Sequence, residues 1–266
     1  MPQSNITVRA ERAEERHAVE NIDREAFRYQ SERVGEHLLT HKLRQSPDFI
    51  PELNFVAELD GKLAGHIIYS KSTITATDGG VTDIISFGPL AVLPELQNRG
   101  VGKALLLHSF NAARELGYRA VVILGEPDYY PRVGFRRAAD FGLTTTMGTF
   151  DAFMAYPLYD GALDGVAGVV YESEVFDTLT DAEVEEFDQA FLPQEPVVLT
   201  TIDVVLEKLS PPARAALRQK DIPTLAKLRE FSGREVLQWG EFSEQDRAAI
   251  DSVMSAYGFG KKTWEQ

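Results

Sequence analysis

The chain has 266 residues, 44% of them apolar, which is enough for a hydrophobic core and for two domains. Its formal net charge of −14 argues against a nucleic acid as the main partner, because phosphate binding depends on Lys and Arg, and mildly favours a cationic acceptor such as an amine. The chain has no cysteine, which excludes disulfides, a thiol nucleophile and cysteine-based zinc sites.

The first ninety residues alternate predicted strands and helices. Met1–Asn5 has no basic-then-apolar signal pattern, and no apolar run approaches about 18 residues, so we expect a cytoplasmic protein. His37 and His41 lie four residues apart, but no third ligand is near, so we expect packing or solvent-facing histidines and no metal. Periodicity and turn residues predict a strand at Ile6–Arg9, helices at Ala13–Phe27 and Glu32–Arg44, a hairpin of Phe55–Leu59 and Leu63–Ile74 around Asp60-Gly61, and a strand at Ile84–Val92.

A strand, a glycine-containing turn and a long helix follow one another in Pro89–Leu116. Pro94 ends the apolar strand, and apolar residues recur at helical spacing from Val101 until Gly117, which suits a C′ position. A helix start of this kind has unpaired backbone N–H groups and the positive end of the helix dipole. It is therefore a candidate site for a phosphate or pyrophosphate, although a plain turn capping an ordinary helix would share the pattern.

Spacing separates three phosphate-binding motifs at this turn. A P-loop needs a glycine where Gln97 stands and a hydroxyl residue where Ala104 stands, and a dinucleotide fold needs a third glycine where Leu105 stands. The remaining pattern, Gln/Arg-x-x-Gly-x-Gly/Ala, fits Gln97–Gly102 without a gap. This stretch resembles motif A of the GNAT N-acetyltransferases, which hold the pyrophosphate of acetyl-CoA on those amides.

A second segment supports the same resemblance. Ala120–Leu124 is a wholly apolar run typical of a central strand, and Tyr130 stands four residues before Gly134-Phe135, as in GNAT proteins. The order of predicted elements matches that fold through about Pro157, and Pro157–Val166 is similar to the YhbS-type branch. We therefore predict a GNAT domain over residues 1–178, with the resemblance itself covering about 5–178: an α/β (α+β) fold with a mixed central sheet flanked by helices.

The resemblance implies roles for named residues. Tyr130 would be the general acid toward the departing sulfur, since a phenol stays protonated at neutral pH; the alternative is an aromatic ring packing beside Tyr129. Main-chain groups of a splaying strand would meet the pantetheine and the thioester carbonyl, and turn amides, helped by two side chains, would hold the pyrophosphate. The implied acetyl-CoA-binding residues are Leu90, Ala91, Val92, Gln97, Asn98, Arg99, Gly100, Val101, Gly102 and Lys103.

The general base stays open at this point. Several family members place a Glu on the strand before motif A, and that position is Ser86 here. Water, Asp83, Glu126 and Asp128 are the alternatives. His66 could line the acceptor pocket, whereas His108 on the motif A helix is expected to serve the core or a groove.

The composition changes after about residue 178. Thr180–Glu183 predicts a helix start, Pro193-Gln194-Glu195-Pro196 interrupts the pattern, and we expect a connector over 179–200. A helical module over 201–266 follows, with Ser210-Pro211 opening a helix, a turn at Asp221–Thr224, and helices reaching Tyr257-Gly258.

The module resembles the helix-hairpin-helix C-terminal domain of the bacterial RNA polymerase α subunit. In that family an Arg in the first helix and a Gly-Lys-Lys-Ser hairpin grip DNA, but Pro212 and Ser243–Asp246 occupy those positions here. The acidic hairpin would repel phosphates, so we expect no nucleic acid and instead a protein partner, self-association or a stabilising role. The residues that carry the resemblance are Leu209, Leu217, Ile222, Thr224, Leu228, Glu235-Val236-Leu237, Phe242, Ile250 and Gly258.

These patterns predict an N-acetyltransferase that moves an acetyl or short acyl group from acetyl-CoA to a primary amine, without a metal or a membrane. The alternative is a non-catalytic GNAT-fold sensor that binds CoA or a metabolite and signals through its C-terminal module. A DNA-tethered enzyme is a third hypothesis, which the acidic hairpin weakens.

Overall fold

A computed structural model describes residues 5–28, 34–192, 201–220, 222–229, 231–256, 262 and 264. These residues form two compact units. The first unit contains 5–27, 34–125 and 133–192, and the second contains 28, 126–132 and the described residues from 201 onward. The short segment 126–132 therefore groups with the C-terminal residues, although we expected it within the first domain.

The first unit is built on one mixed sheet. Strands pair in the order β1-β2-β3-β4-β5-β8-β6, and β9 pairs with β3 and with β7. The β4–β5 and β7–β9 pairs are parallel and the other pairs are antiparallel. The mixed sheet expected from the resemblance is confirmed. In the described residues its strands are β1 Ile6–Ala10, β2 Phe55–Leu59, β3 Lys62–Thr75, β4 Val81–Val92, β5 Ala120–Leu124, β6 Arg136–Arg137, β7 Leu143–Thr144, β8 Phe153–Pro157 and β9 Gly168–Tyr171.

Helices of the first unit are α1 Arg16–Phe27, α2 Glu36–Leu43, α3 Val101–Glu115 and α4 Asp181–Asp188. The helix predicted over Glu32–Arg44 is present as α2 Glu36–Leu43, and its predicted first residues, Glu32 and Arg33, lie outside the described residues. The predicted hairpin turn is present, because Asp60 and Gly61 have φ angles of 52° and 81°, as a two-residue turn between strands requires. Gly65 on β3 lets α3 lie close to the sheet: a Cβ there would meet the Ala91 carbonyl oxygen at 2.6 Å and Val101 Cγ1 at 3.1 Å.

α1 is joined to the sheet by a buried polar network. His66 on β3 is 0% exposed; its Nδ1 lies 3.0 Å from Asp23 Oδ1, and its Nε2 lies 2.9 Å from Asn54 Oδ1. Thr40 on α2 donates to Asp23 Oδ2 at 2.6 Å. His66 is thus enclosed and bonded through both ring nitrogens, so the hypothesis that it lines an acceptor pocket is wrong. It joins α1, β2 and β3 instead.

α4 closes over α1 and α2, within the stretch that we expected to be a connector. A capping box starts it, with Thr180 N donating to Glu183 Oε2 at 3.0 Å. Arg24 Nη2 donates to Asp188 Oδ2 at 2.8 Å, and Lys42 Nζ to Glu183 Oε1 at 2.6 Å. The helix predicted from Thr180–Glu183 is confirmed. The predicted break at 193–196 lies outside the described residues.

Both histidines of α2 pack against neighbouring side chains, which is one of the two roles that we expected for them. His37 is 0% exposed, with its ring 5.4 Å from that of Phe187 and 5.3 Å from that of Phe191. His41 lies 4.7 Å from the Phe187 ring, and its Nδ1 lies 3.0 Å from Glu20 Oε1.

The second unit is helical over its described C-terminal residues. Its helices are α5 Asp203–Leu206, α6 Pro211–Arg218, α7 Leu225–Arg229, α8 Gly233–Leu237 and α9 Glu244–Ala256. They enclose one apolar cluster, which includes Val205, Leu217, Leu225, Val236 and Ile250. Parts of the predicted turn at Asp221–Thr224 and the predicted end at Tyr257-Gly258 lie outside the described residues. The resemblance to a helix-hairpin-helix domain stays a prediction.

Asp246 has a structural role that its sequence position did not reveal. Its side chain is buried and accepts from Ser210 N at 2.7 Å and from Ser243 N at 2.9 Å. Burial raises its pKa, but the bonds from Ser243 and Ser210 outweigh that effect and hold the pKa below its usual value. The interpretation of Asp246 as a surface charge that repels DNA is wrong, because its carboxylate is used inside the unit. Glu244 remains exposed at the start of α9.

No helix among the described residues is long and apolar enough to cross a membrane.

Candidate functional site

β4 parts from β5 partway along its length. The parallel pairing is confined to Ile85 with Val121 and Ser86 with Val122, whereas β4 continues beside β3 as far as Val92. In the described part of the sheet, the β5-facing edge of β4 beyond Ser86 therefore has no strand partner. Leu90, Ala91 and Val92, which we expected to present main-chain groups to a ligand, lie on this open stretch.

The turn after β4 adopts the conformation that its residues favour. Asn98 and Gly100 have φ angles of 60° and 90°, in the left-handed region that glycine and asparagine tolerate. Gly100 is the N-cap of α3 and makes no side-chain cap bond. The first bond of the helix runs from Ala104 N to Gly100 O at 3.0 Å, so the amides of Val101–Lys103 precede it.

These amides and the positive helix end form an anion-binding geometry at the end of the open strand. Gln97, which we expected to assist at a pyrophosphate, donates its Nε2 to the Val92 carbonyl at 3.2 Å and so joins the turn to the strand. Arg99 and Lys103 are exposed, and Arg99 Nη2 lies 3.9 Å from Asp60 Oδ2. Because both cationic side chains are exposed, they can move towards an anionic ligand at the turn.

Ser86 lies at the point where β4 leaves β5 and belongs to a buried hydroxyl cluster. Its Oγ lies 3.1 Å from Ser70 Oγ and 2.8 Å from Ser72 Oγ, both on β3. Glu172 follows β9 directly. Burial raises the pKa of the Glu172 carboxyl, the neighbouring Ser86 hydroxyl opposes this, and the Asp177 charge adds to it.

Glu172 is a functional candidate that sequence reasoning missed. The register of β9 with β3, from Thr73–Tyr171 to Thr75–Val169, brings it beside the serines. The apolar run Gly168–Tyr171 followed by a lone glutamate was the available signal. A four-residue strand so far along the chain does not reveal its partner, so the signal could not be used.

Tyr130 is buried and begins a 3-10 helix, Tyr130–Val133. Its ring lies 5.1 Å from that of Tyr129 in an edge-on arrangement. It is part of the segment 126–132, which groups with the second unit.

Two carboxylates of the same segment, considered earlier as general bases, are engaged inside the second unit. Gly233 N donates to Asp128 Oδ2 at 3.1 Å, and Arg229 Nε lies 3.3 Å from Glu126 Oε2. Burial raises the pKa of Glu126, and the charges of Arg229 and Lys262 oppose that shift. Both residues thus bind the segment to α7 and α8.

The other two candidates occupy ordinary positions. Asp83 is exposed on β4 opposite Thr73. The His108 ring lies edge-on to Phe55 at 4.7 Å, which is a packing contact of α3 with β2. Among the described side chains, no group of three or more His, Asp or Glu is arranged to hold a metal ion.

In this mixed sheet the parallel strands β4 and β5 part in front of the N-terminus of α3, which follows Gly100 and has no side-chain cap. This arrangement fits the class of acyl-CoA-binding transferases that the sequence resembles. A sequence model described as the acetyltransferase (GNAT) family matches residues 16–137. The chain belongs to the GNAT family of acetyltransferases.

Curated relatives agree with this assignment. The uncharacterized N-acetyltransferase YhbS of Escherichia coli (strain K12) is 35% identical over 140 residues, which are 52% of this chain and 81% of that protein. The uncharacterized N-acetyltransferase YjhQ of the same strain is 38% identical over 90 residues, covering 34% of this chain and 49% of that protein.

Two solved structures share the fold. The crystal structure of YhbS from Escherichia coli in complex with CoA superposes with a TM-score of 0.59 at 29% identity, covering 68% of this chain and 96% of that one. A GNAT acetyltransferase from Brucella melitensis in complex with acetyl-CoA gives a TM-score of 0.52 at 27% identity, covering 65% of this chain and 99% of that one. The GNAT fold expected for the first part of the chain is confirmed.

Proposed function

We propose that this protein transfers an acetyl or other short acyl group from acetyl-CoA to a primary amine. The observation that carries the proposal is the opening of β4 from β5 after Ser86, directly ahead of the uncapped start of α3. An extended thioester needs unpaired main-chain groups along its length and an anion site at its end, and these two features supply both.

The pyrophosphate of acetyl-CoA would lie on the amides of Asn98–Lys103, where the helix dipole favours negative charge. Arg99 and Lys103 would add charge at the exposed rim of this site. The α3 start is rigid, because Val101 is buried and packs close to Gly65, so the amides are already oriented.

The pantetheine arm would run along Leu90–Val92, where main-chain donors and acceptors face no strand. A donor from this edge would stabilise the negative charge that develops on the thioester oxygen during attack. The sheet holds this edge in place, since β4 stays paired with β3 as far as Val92.

For the leaving sulfur we propose Tyr130 as proton donor. Its support is the spacing to Gly134-Phe135 that GNAT proteins share. A phenol keeps its proton at neutral pH and can give it to a thiolate as the C–S bond breaks.

For the C-terminal unit we propose a role in protein contacts or in stabilising the segment 126–132. The hypothesis is supported by Pro212 and Glu244, which stand where the DNA-binding family that this module resembles carries cationic side chains. A sensor without catalysis gains no support from the relatives, which are N-acetyltransferases by name.

The proposed function is tested by following release of free CoA with a thiol reagent over a panel of primary amines. Because the chain has no cysteine, the protein itself adds no thiol background. We expect amine-dependent thiol release and, at saturating acetyl-CoA, a raised melting temperature. An unchanged melting temperature at saturating acetyl-CoA would contradict the assignment of Leu90–Val92 and Asn98–Lys103 as the acetyl-CoA site.

The role of the α3 N-terminus in binding acetyl-CoA can be tested with a matched pair of glycine variants. Gly100→Ala and Gly79→Ala both place a side chain at φ near +90°, with 90° and 86° respectively, but Gly79 lies in a distant turn. Each is expected to cost about 1 kcal/mol or more of stability from backbone strain. Only Gly100→Ala should also weaken the acetyl-CoA shift, and equal shifts in both variants would remove Gly100 from the binding site.

A further inference from the structure

Three serines occupy positions where a central sheet ordinarily carries aliphatic side chains. Ser70, Ser72 and Ser86 are 0%, 3% and 0% exposed. A buried hydroxyl costs stability unless it is hydrogen-bonded, and valine would suit each position better on packing alone. The cluster therefore calls for a role beyond the core.

Counting donors and acceptors shows where the cluster points. A serine hydroxyl has one proton and can accept two hydrogen bonds, whereas an ionised carboxylate only accepts. This count is satisfied when Ser86 gives its proton to Glu172 and when Ser70 and Ser72, at 3.1 and 2.8 Å, donate to Ser86. Two hydroxyl groups then support the one that faces the carboxylate, and such networks strengthen each bond.

The carboxylate lies beside the opening of the sheet. Ser86 is the last residue of β4 paired with β5, and two residues later Gly88 faces Phe176, since a Cβ on Gly88 would lie 3.0 Å from Phe176 Cε1. The segment that begins at Glu172 thus reaches β4 at Gly88, two residues past the last pairing of β4 with β5. Glu172 is only partly buried, so one side of it stays accessible.

We propose that Glu172 is the general base of the transfer, that Ser86 positions it, and that the base is therefore supplied from the end of β9. The inference rests on the proposed function. In the step, an N–H bond of the protonated amine breaks, its proton forms an O–H bond on Glu172, and the nitrogen keeps the electron pair for attack. Glu172 then releases the proton to water.

The charges around Glu172 define the acceptor as a cationic primary amine. Asp177 on the same segment is close enough to raise the pKa of Glu172, and the neighbouring Ser173 hydroxyl donates to Asp48 at 2.8 Å. Facing Glu172 from β3 and β4 are uncharged serines. The Asp177 carboxylate near the base attracts an ammonium group, and a carboxyl whose pKa lies above its usual value accepts a proton near neutral pH more effectively.

The test uses the full-length chain and the best amine of the panel. Glu172→Gln keeps size and hydrogen bonding to the serines but cannot accept the proton, so we expect kcat at pH 7 to fall by about 100-fold or more. The acetyl-CoA melting shift should be unchanged. The difference in kcat between Glu172→Gln and the wild-type protein should become smaller above the pKa of the amine, because the neutral amine needs no base. Glu174→Gln, an exposed neighbour on the same segment, is the matched control and should keep wild-type turnover.

A second variant separates positioning from packing. Ser86→Ala removes a hydrogen bond to the charged form of Glu172, so the acidic limb of the pH–rate profile should move upward by about one pH unit. A purely structural serine would lower turnover without moving that limb. If Glu172→Gln retains wild-type kcat, Glu172 is not the base. If Ser86→Ala leaves the limb in place, Ser86 does not position Glu172. Absence of turnover in the wild-type protein with every amine would instead overturn the proposed function, and this inference with it.

Discussion

The two side chains proposed for acid and base catalysis differ in how far the sequence alone reveals them. Tyr130 is recognisable because it is four residues from a Gly-Phe pair, and local spacing survives without knowledge of the fold. Glu172 is concealed because its meaning depends on Ser86, 86 residues earlier, through a strand pairing that no local pattern encodes. His66 failed as a pocket residue for the same reason, since Asp23 and Asn54 reach it from distant elements.

Tyr130→Phe tests the proposed role of Tyr130 as the general acid. The substitution removes only the phenolic hydroxyl, so acetyl-CoA affinity should change little while kcat falls by about 10²–10⁴. Steady-state kinetics with thiol detection measures both quantities. Tyr129→Phe, the neighbouring ring, serves as the control. Unchanged turnover in Tyr130→Phe would leave the tyrosine with a packing role only.

Among the elements, those with strong local patterns were predicted and those held by long-range contacts were not. The β2–β3 hairpin follows from Asp60-Gly61, and α3 follows from its apolar spacing and Gly117. β9 was not predicted, and its place beside β3 depends on the whole sheet. α4 was predicted as a helix, but its docking onto α1 and α2 depends on Arg24 and Lys42, which a sequence pattern does not pair with it.

The docking of α4 over His37 predicts a pH-dependent stability. Burial lowers the pKa of His37 to about 4, and Asp188 only partly opposes this. At pH values between about 4 and the unfolded pKa of about 6.5, His37 is protonated in the unfolded chain but not in the folded chain. The free energy of unfolding should therefore fall as pH decreases from about 6.5 to 4, by up to about 3 kcal/mol from this residue.

Urea unfolding at pH 7 and pH 5 measures this effect. His37→Asn should flatten the pH dependence, because asparagine does not titrate. His41→Asn, with a ring that is 43% exposed, should preserve the wild-type slope. The same slope in the His37 variant would show that the acid sensitivity arises elsewhere.

For the chain as a whole, charge argues against the DNA binding that a helix-hairpin-helix resemblance of the C-terminal sequence would suggest. The net charge is −14, and Glu244 is exposed at the start of α9. Fluorescence anisotropy with a labelled duplex at about 50 mM salt should show no saturable binding, because the net charge of −14 opposes contact with a phosphate backbone. A basic helix-hairpin-helix protein is the positive control. A rise in anisotropy that disappears with added salt would contradict the prediction.

The segment 126–132 has a consequence for how this chain could be divided or assembled. Its flanks belong to the acetyltransferase unit, yet Glu126 meets Arg229 and Asp128 accepts from Gly233. A fragment ending at residue 192 would therefore remove the partners that Glu126 and Asp128 have in α7 and α8. A division of the chain at the boundary expected from sequence would cut through a compact unit, because that unit includes an internal segment of the chain.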